Sequence, residues 1–252
     1  MKLSNKIIAF LLMTVLTVGL LASCGVTDGP LASDIYAATV EVRFTSESQE
    51  IKAVINSMNR TSTLYVSGED MKLETSVETE GVSITDNYTL FGGTLYHESR
   101  ATINGKTAVE LKKASVSSEN KGQLIETIGA GASIEPTDFN IQEQDGDELN
   151  FTYTCSRITS KAKESLQAIY AEKLGTIGAT VELSAAEYSL VIKNGRNDSS
   201  TLTCHFVIGL NGQSYEVTAE ILTTYDYDAV FGISTPQGSS SYTLVGYDEI
   251  FK

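Results

Sequence analysis

Period-two alternation of apolar and polar residues, cut at intervals by Asn-Gly pairs, runs through most of this chain and constrains its fold more than any other feature. Val40, Val42 and Phe44 alternate with Glu41 and Arg43, and Met71, Leu73, Thr75 and Val77 alternate with Lys72, Glu74 and Ser76. Successive side chains of a strand point to opposite faces, so each run places an apolar row on one side of a sheet. Similar runs recur at 82–91, 93–99, 148–156, 188–193, 201–208 and 214–223. Asn104-Gly105, Asn194-Gly195 and Asn211-Gly212 interrupt the pattern. Asn-Gly suits the type I′ hairpin turn, whose two central residues need positive φ. Glu80-Gly81, Gly92-Gly93 and Asp145-Gly146 are weaker turn signals. The expectation is an antiparallel meander.

Two segments break the rhythm. In 160–175, Ala162, Leu166, Ile169, Tyr170 and Leu174 fall near one helical face, Ser160 can cap the start and Gly175 can stop the end. In 120–131, Leu124, Ile125 and Ile128 cluster ahead of glycines that would terminate a shorter helix. The stretch 48–58 fits a helix through Ile51, Val54, Ile55 and Met58, or a strand through Ile51, Ala53 and Ile55; the neighbouring runs favour the strand. A helix with one apolar stripe must bury it, and the concave face of a curled sheet offers the place. The expected class is therefore α+β: a curled antiparallel β-sheet, an unclosed barrel, packed on two or three helices.

The N-terminus carries a different signal. Residues 7–22 form a nearly unbroken apolar run behind Lys2 and Lys6, with no acidic residue before Asp28, which is the layout of an export signal. Sixteen residues span about 24 Å as a helix, short of the roughly 30 Å hydrocarbon core, so a cleaved signal is expected over a spanning helix. The run ends in Leu21-Ala22-Ser23-Cys24, which resembles the bacterial lipobox: a branched apolar residue, two small ones, then the cysteine that receives diacylglycerol. The resemblance implies lipidation at Cys24. Two or three acyl chains anchor a protein stably without further membrane contact. The implied location is the extracytoplasmic face of the cell membrane. The expected organisation is a signal peptide over 1–23, a lipidated tether over 24–37 and a single domain over 38–252.

Charge narrows the partners. The full chain carries a formal charge of −14, and removing residues 1–23 takes two lysines and no acids, leaving −16. Such a surface repels nucleic acid and anionic headgroups, so no nucleic-acid partner is expected. Beyond Cys24 only Cys155 and Cys204 remain. An even pair in an exported chain can form a disulfide. Both also sit in alternating apolar runs, where cysteine serves as a small hydrophobe.

Around these features a family resemblance forms. The lipobox, the run 63–99 and the closing 215–236 resemble bacterial lipoproteins of the LolA/LolB and LppX/LprG kind. Those proteins wrap an unclosed β-barrel around helices, and several carry lipids or lipoproteins in the cavity between. The resemblance is one of layout, carries no sharp motif and transfers no ligand residue.

Motifs for chemistry are absent. His97 and His205 are the only histidines, and no Gly-x-Ser-x-Gly elbow occurs. Cys204-His205 with Cys155 lacks the close Cys-x₂-Cys pairs of a structural zinc site. A Walker A loop ending at Gly105-Lys106-Thr107 would need glycine where Arg100 stands, and a dinucleotide fingerprint over 129–134 would need glycine or alanine at Ile134. No cofactor, metal or enzymatic activity is expected. The acidic 143–148 reads as a solvated turn, and Arg100, Lys106, Lys112, Lys113 and Lys121 as a solvated hairpin diluted by glutamates. More specific is 224–228, where Tyr225 and Tyr227 alternate with Asp226 and Asp228; tyrosines with carboxylates can bind sugars or choline-like cations.

The expected function is a non-enzymatic, membrane-anchored carrier of a lipid or other hydrophobic ligand in a cavity between sheet and helix, with Leu166, Ile169, Tyr170, Tyr225 and Tyr227 as candidate contacts. The alternative is an envelope interaction or scaffold lipoprotein that binds a protein partner through its surface.

Overall fold

The computed structural model describes residues 35–251 apart from 80, 118–119, 121–133 and 176. The alternating runs become strands β1 (Ile35–Thr45), β2 (Arg60–Ser67), β3 (Asp70–Thr79), β4 (Val82–Phe91), β5 (Thr94–Ile103) and β6 (Lys106–Ser115). They continue as β7 (Phe139–Gly146), β8 (Phe151–Ile158), β9 (Thr180–Lys193), β10 (Arg196–Leu210), β11 (Gln213–Asp226) and the two-residue β12 (Thr243–Leu244). All twelve form one sheet in the order β12-β6-β5-β4-β3-β2-β1-β11-β10-β9-β8-β7. Every pairing is antiparallel except that of β12 with β6. The three Asn-Gly pairs sit at positive φ on both residues and close the β5–β6, β9–β10 and β10–β11 hairpins, as type I′ chemistry requires. β1 begins at Ile35, so residues 35–37, read from the sequence as tether, are already paired with β2 and β11.

The α+β expectation is corrected here: this is a β-rich fold, a single unclosed twelve-stranded sheet with two short helices among the described residues. These are α1 (Gln49–Asn56) and α2 (Ser160–Gly175). They are too short to form a layer against twelve strands; α1 packs on β1 and α2 on β9. The strand reading of 48–58 is also overturned. The Glu50 N–H donates to Ser48 Oγ at 3.3 Å, capping α1, and Ile51, Val54, Ile55 and Met58 are all buried. Capping chemistry and the 3.6-residue stripe outweigh the neighbouring strands there. The helix expected over 120–131 lies outside the described residues apart from Asn120.

Helix α2 matches its expected span. Thr159 caps it in place of Ser160, its Oγ1 accepting from Ala162 N–H at 3.4 Å. Ala162, Leu166, Tyr170 and Leu174 are buried at spacings of four residues, while Ile169 is half-buried. They join α1 and the inward residues of β1 and β7–β11 in the main core, where Tyr170 contacts Phe44 and Phe206 edge-on at 5.9 and 4.8 Å. A second core lies on the same face over β2–β6: Leu64, Met71, Leu73, Tyr88, Leu90 and Leu95, covered by Ile250 and flanked by Tyr247 and Phe251.

The register exposes a feature invisible in any one strand. Ser200, Thr223, Val40, Ser62, Thr75 and Asp86 are successive cross-strand partners across β10, β11 and β1–β4, and all six are buried. A single level of the inner face is therefore almost wholly polar. Its members satisfy each other in part, as Ser62 and Thr75 hydroxyls do at 3.1 Å, which removes much of the cost of burying them.

The C-terminal segment wraps the edge strand. Phe231 meets Tyr65 edge-on at 5.1 Å and Tyr242 meets Tyr96 at 5.5 Å, both on the outer face. β12 then pairs with Lys112 and Lys113 of β6, Lys113 Nζ donates to the Ser239 carbonyl at 3.0 Å, and the tail reaches the second core on the inner face. Partial cover of this kind blunts an edge strand against pairing with other chains.

Candidate ligand cleft

Both helices lie at one end of the main sheet: α1 follows β1, and α2 joins the end of β8 to the start of β9. The opposite end, where β1, β9, β10 and β11 expose Ile35, the Asn194-Gly195 turn and Asp226, carries a cleft of about 410 Å³. Lys193, Arg196, Asn197, Asp198 and the run Tyr225 to Asp228 line it. We call this end the mouth.

Its construction follows from the chain. Alternation along β11 puts Thr223 and Tyr225 on one side and Thr224 and Asp226 on the other. The strand stops at Asp226, whose Oδ1 accepts from the Asp228 N–H at 3.0 Å, and this side-chain-to-backbone turn curls the chain so that carboxylates and tyrosines share one cleft. Tyr225 and Tyr227 are nearly parallel, 16° apart with centroids 6.3 Å apart. Tyr36, the second residue of β1, completes a triangle at 6.4 and 6.1 Å. The Arg196 guanidinium sits over the Tyr227 ring at 5.0 Å, a cation–π contact. Lys193 and Asp198 pair across the hairpin at 2.9 Å. Below the mouth the inner face is polar, with Asn197, Thr223 and Ser200 all buried.

The remaining sequence candidates divide cleanly. Tyr225 and Tyr227 are together in the cleft; Leu166 and Tyr170 are at the far end, packed among the protein's own side chains, and Ile169 lies beside them half-buried. Burial raises the Tyr170 hydroxyl pKa above its ordinary value, consistent with a phenol inside a core. Cys155 and Cys204 form no disulfide with each other. Cys155 pairs with Tyr188 on β9 and Cys204 with Ala186 on the same strand, so one whole strand separates them. Two inter-strand steps come to about 9.6 Å, beyond the roughly 7 Å Cα separation a bridge tolerates. Burial pushes the Cys204 thiol up to about 12. Cys24 lies outside the described residues.

A buried histidine–carboxylate pair escaped the sequence reading, which took no partner for His97. Its Nε2 lies 2.5 Å from Asp86 Oδ1, both residues being buried. Tyr88 stacks on the imidazole at 4.3 Å and 4°, and Phe251 stacks on Tyr88 in turn at 5.8 Å. Burial, and then the Asp86 charge, raise the Tyr88 hydroxyl pKa above its ordinary value. The pairing was hidden because Asp86 and His97 lie on neighbouring strands and become diagonal neighbours only in the register that matches Tyr88 with His97. The other ring nitrogen, Nδ1, is buried without a hydrogen-bond partner. His205 instead faces outward, its Nδ1 at 3.2 Å from Thr218 Oγ1.

Among the described residues no cluster of three or more His, Cys, Asp or Glu could hold a metal ion, and no helix is long and apolar enough to cross a membrane. No known protein family matches the chain, and no curated protein matches it. Among solved structures, the ywiB protein from Bacillus subtilis aligns over 76% of this chain and 91% of its own at 5% identity, with a TM-score of 0.18. The dehydratase domain of PpsC from Mycobacterium tuberculosis, in complex with C12:1-CoA, aligns over 88% and 83% at 13% identity, TM-score 0.17. The 12:0-ACP thioesterase from Umbellularia californica aligns over 77% and 75% at 10% identity, TM-score 0.13. Scores this low carry no argument about fold or function.

Proposed function

We infer that this chain is a lipid-anchored, extracytoplasmic envelope protein that is not an enzyme and that engages its target through the mouth of its curled sheet. One observation carries the reading: Tyr225 and Tyr227, with Tyr36 packed against both, meet Arg196 and the carboxylates of Asp226 and Asp228 in a cleft at the end of the sheet away from the helices. The chain enters β1 at this same end. From Cys24 to Ile35 is eleven residues, at most about 40 Å of extended chain, so a lipidated Cys24 keeps the mouth near the membrane surface. Strongly acidic composition holds the rest of the domain off anionic headgroups. The test is Cys24→Ala in the full chain, with membranes fractionated and acylation followed by labelled palmitate. Loss of label and release from the membrane fraction are expected; retention without label would refute the anchor.

A second reading, a lipid or other hydrophobic ligand held between sheet and helices, is favoured by Arg60. This inward residue of β2 has a buried Nε with no hydrogen-bond partner. Burial lowers its pKa and the nearby Tyr170 hydroxyl opposes that shift. An anionic head group would satisfy the orphan donor. Native mass spectrometry of protein taken from its own membrane checks this: a co-purifying acidic lipid, lost in Arg60→Met, supports it, and repeated recovery of bare protein refutes it.

A further inference from the structure

The cleft at the mouth is chemically mixed, and the mixture narrows its ligand. Asp226 and Asp228 are exposed acceptors, Arg196 is an exposed donor, and the tyrosines present apolar ring faces and hydroxyls. Lys193 and Asp198 neutralise each other at 2.9 Å and bias the site neither way. An anion entering the cleft meets two carboxylates against one guanidinium. A cation seeking the aromatic faces meets Arg196 already seated over Tyr227 at 5.0 Å, and like charges at that range repel. A neutral ligand with many hydroxyls conflicts with none of these groups. Its C–H faces lie against the Tyr225 ring and the side of the near-parallel Tyr227 ring away from Arg196. Its hydroxyls donate to Asp226 and Asp228 and accept from Arg196. Few placed polar groups around an aromatic floor are what fix orientation in a concave site.

We propose that this cleft is a carbohydrate site that takes a neutral or N-acetylated glycan chain, with Tyr225 and Tyr227 as the stacking platform and Arg196, Asp226 and Asp228 as the hydroxyl-reading groups. The proposal rests on the reading of the chain as a binding protein that uses its mouth, but not on the lipid anchor.

The experiment is saturation-transfer NMR on the full chain in detergent, with cellotetraose, maltotetraose and chitotetraose as probes and with tetramethylammonium and inorganic phosphate as charged controls. At least one tetrasaccharide is expected to receive saturation on its ring protons. Tyr227→Ala should weaken it at least tenfold, and Asp228→Ala, at an exposed position whose backbone N–H still closes the Asp226 turn, should weaken it several-fold. A silent oligosaccharide panel overturns the proposal. So does saturation of tetramethylammonium or phosphate alone, and so does oligosaccharide binding that ignores both substitutions. Because the readout does not need the membrane, failure of the Cys24→Ala fractionation leaves it standing, and the two ideas fail separately.

Discussion

Leu166→Ala, set against Ile169→Ala on the same helix, tests how α2 plugs the sheet. Leu166 is fully buried in the main core, at 0% exposure, whereas Ile169 is half-buried. Truncating a buried leucine removes its transfer free energy and leaves a cavity, together about 2–5 kcal/mol. Complete burial among Phe44, Phe206 and Tyr170 places this site in the middle of that range, about 3–4 kcal/mol. For a domain of this size each kcal/mol lowers Tm by about 2–4 °C, so a fall of roughly 10 °C is expected. Ile169→Ala loses part of a side chain's burial but gains about 0.4 kcal/mol in helix propensity, which leaves a net change below about 1 kcal/mol. Both are read by circular dichroism melts and urea titration of the full chain, with equal m-values confirming that the same unfolding is followed. Equal losses for the two variants, or a larger loss for Ile169→Ala, would mean that α2 packs through another face and that the interior described above is wrong.

Other predictions concern the thiols, a turn and a glycine. Neither Cys155 nor Cys204 should react with maleimide at pH 8 in native protein, because both are buried and burial pushes the Cys204 thiol up to about 12; after unfolding both should react without reductant, and mass spectrometry of an intact bridge would sink the strand-separation argument. Backbone N–H bonds from Leu149 and Asn150 hold the Asp147 carboxyl below its ordinary pKa. A depressed carboxylate favours the folded turn above its unfolded pKa of about 3.9 and loses that effect as pH falls through the folded value. Amide exchange at Leu149 and Asn150 should therefore be slow at pH 5 and quicken, relative to intrinsic rates, only well below pH 4; quickening that begins near pH 6 would contradict this. Gly146→Ala should destabilise by about 1–3 kcal/mol through backbone strain, since φ is +124° and a Cβ there would run into the Asn150 carbonyl oxygen. Unchanged denaturation curves would count against that turn geometry.

What the sequence showed was local, and what it missed was created by register or by competition between local signals. Asn104, Asn194 and Asn211 announce their hairpins because the turn requires positive φ at that residue. The α2 stripe was legible because Ala162, Leu166, Tyr170 and Leu174 repeat at a helical period inside a β-rich neighbourhood. The eight residues of α1 satisfied both periods, and the deciding group, the Ser48 hydroxyl accepting from Glu50 N–H, lies just outside the apolar pattern. The fold class went astray because an apolar helix stripe says that it must be covered but not how much sheet it covers. At the site, Tyr225 and Tyr227 were legible as a motif. Tyr36 and Arg196 were not, since they come from β1 and β10 and reach the cleft only through pairing with β11 and β9. The same holds for His97 and Asp86 and for the buried polar level that runs from Ser200 to Asp86.

The central claim is that the target engages the mouth and not another part of the sheet. Site-specific photocrosslinking in intact cells tests this most directly, with benzoylphenylalanine in place of Lys193 at the mouth or of Gln144 on the exposed outer strand β7. The account predicts a discrete, reproducible crosslinked species from position 193 and none from position 144. Crosslinking from 144 with silence at 193 would contradict it.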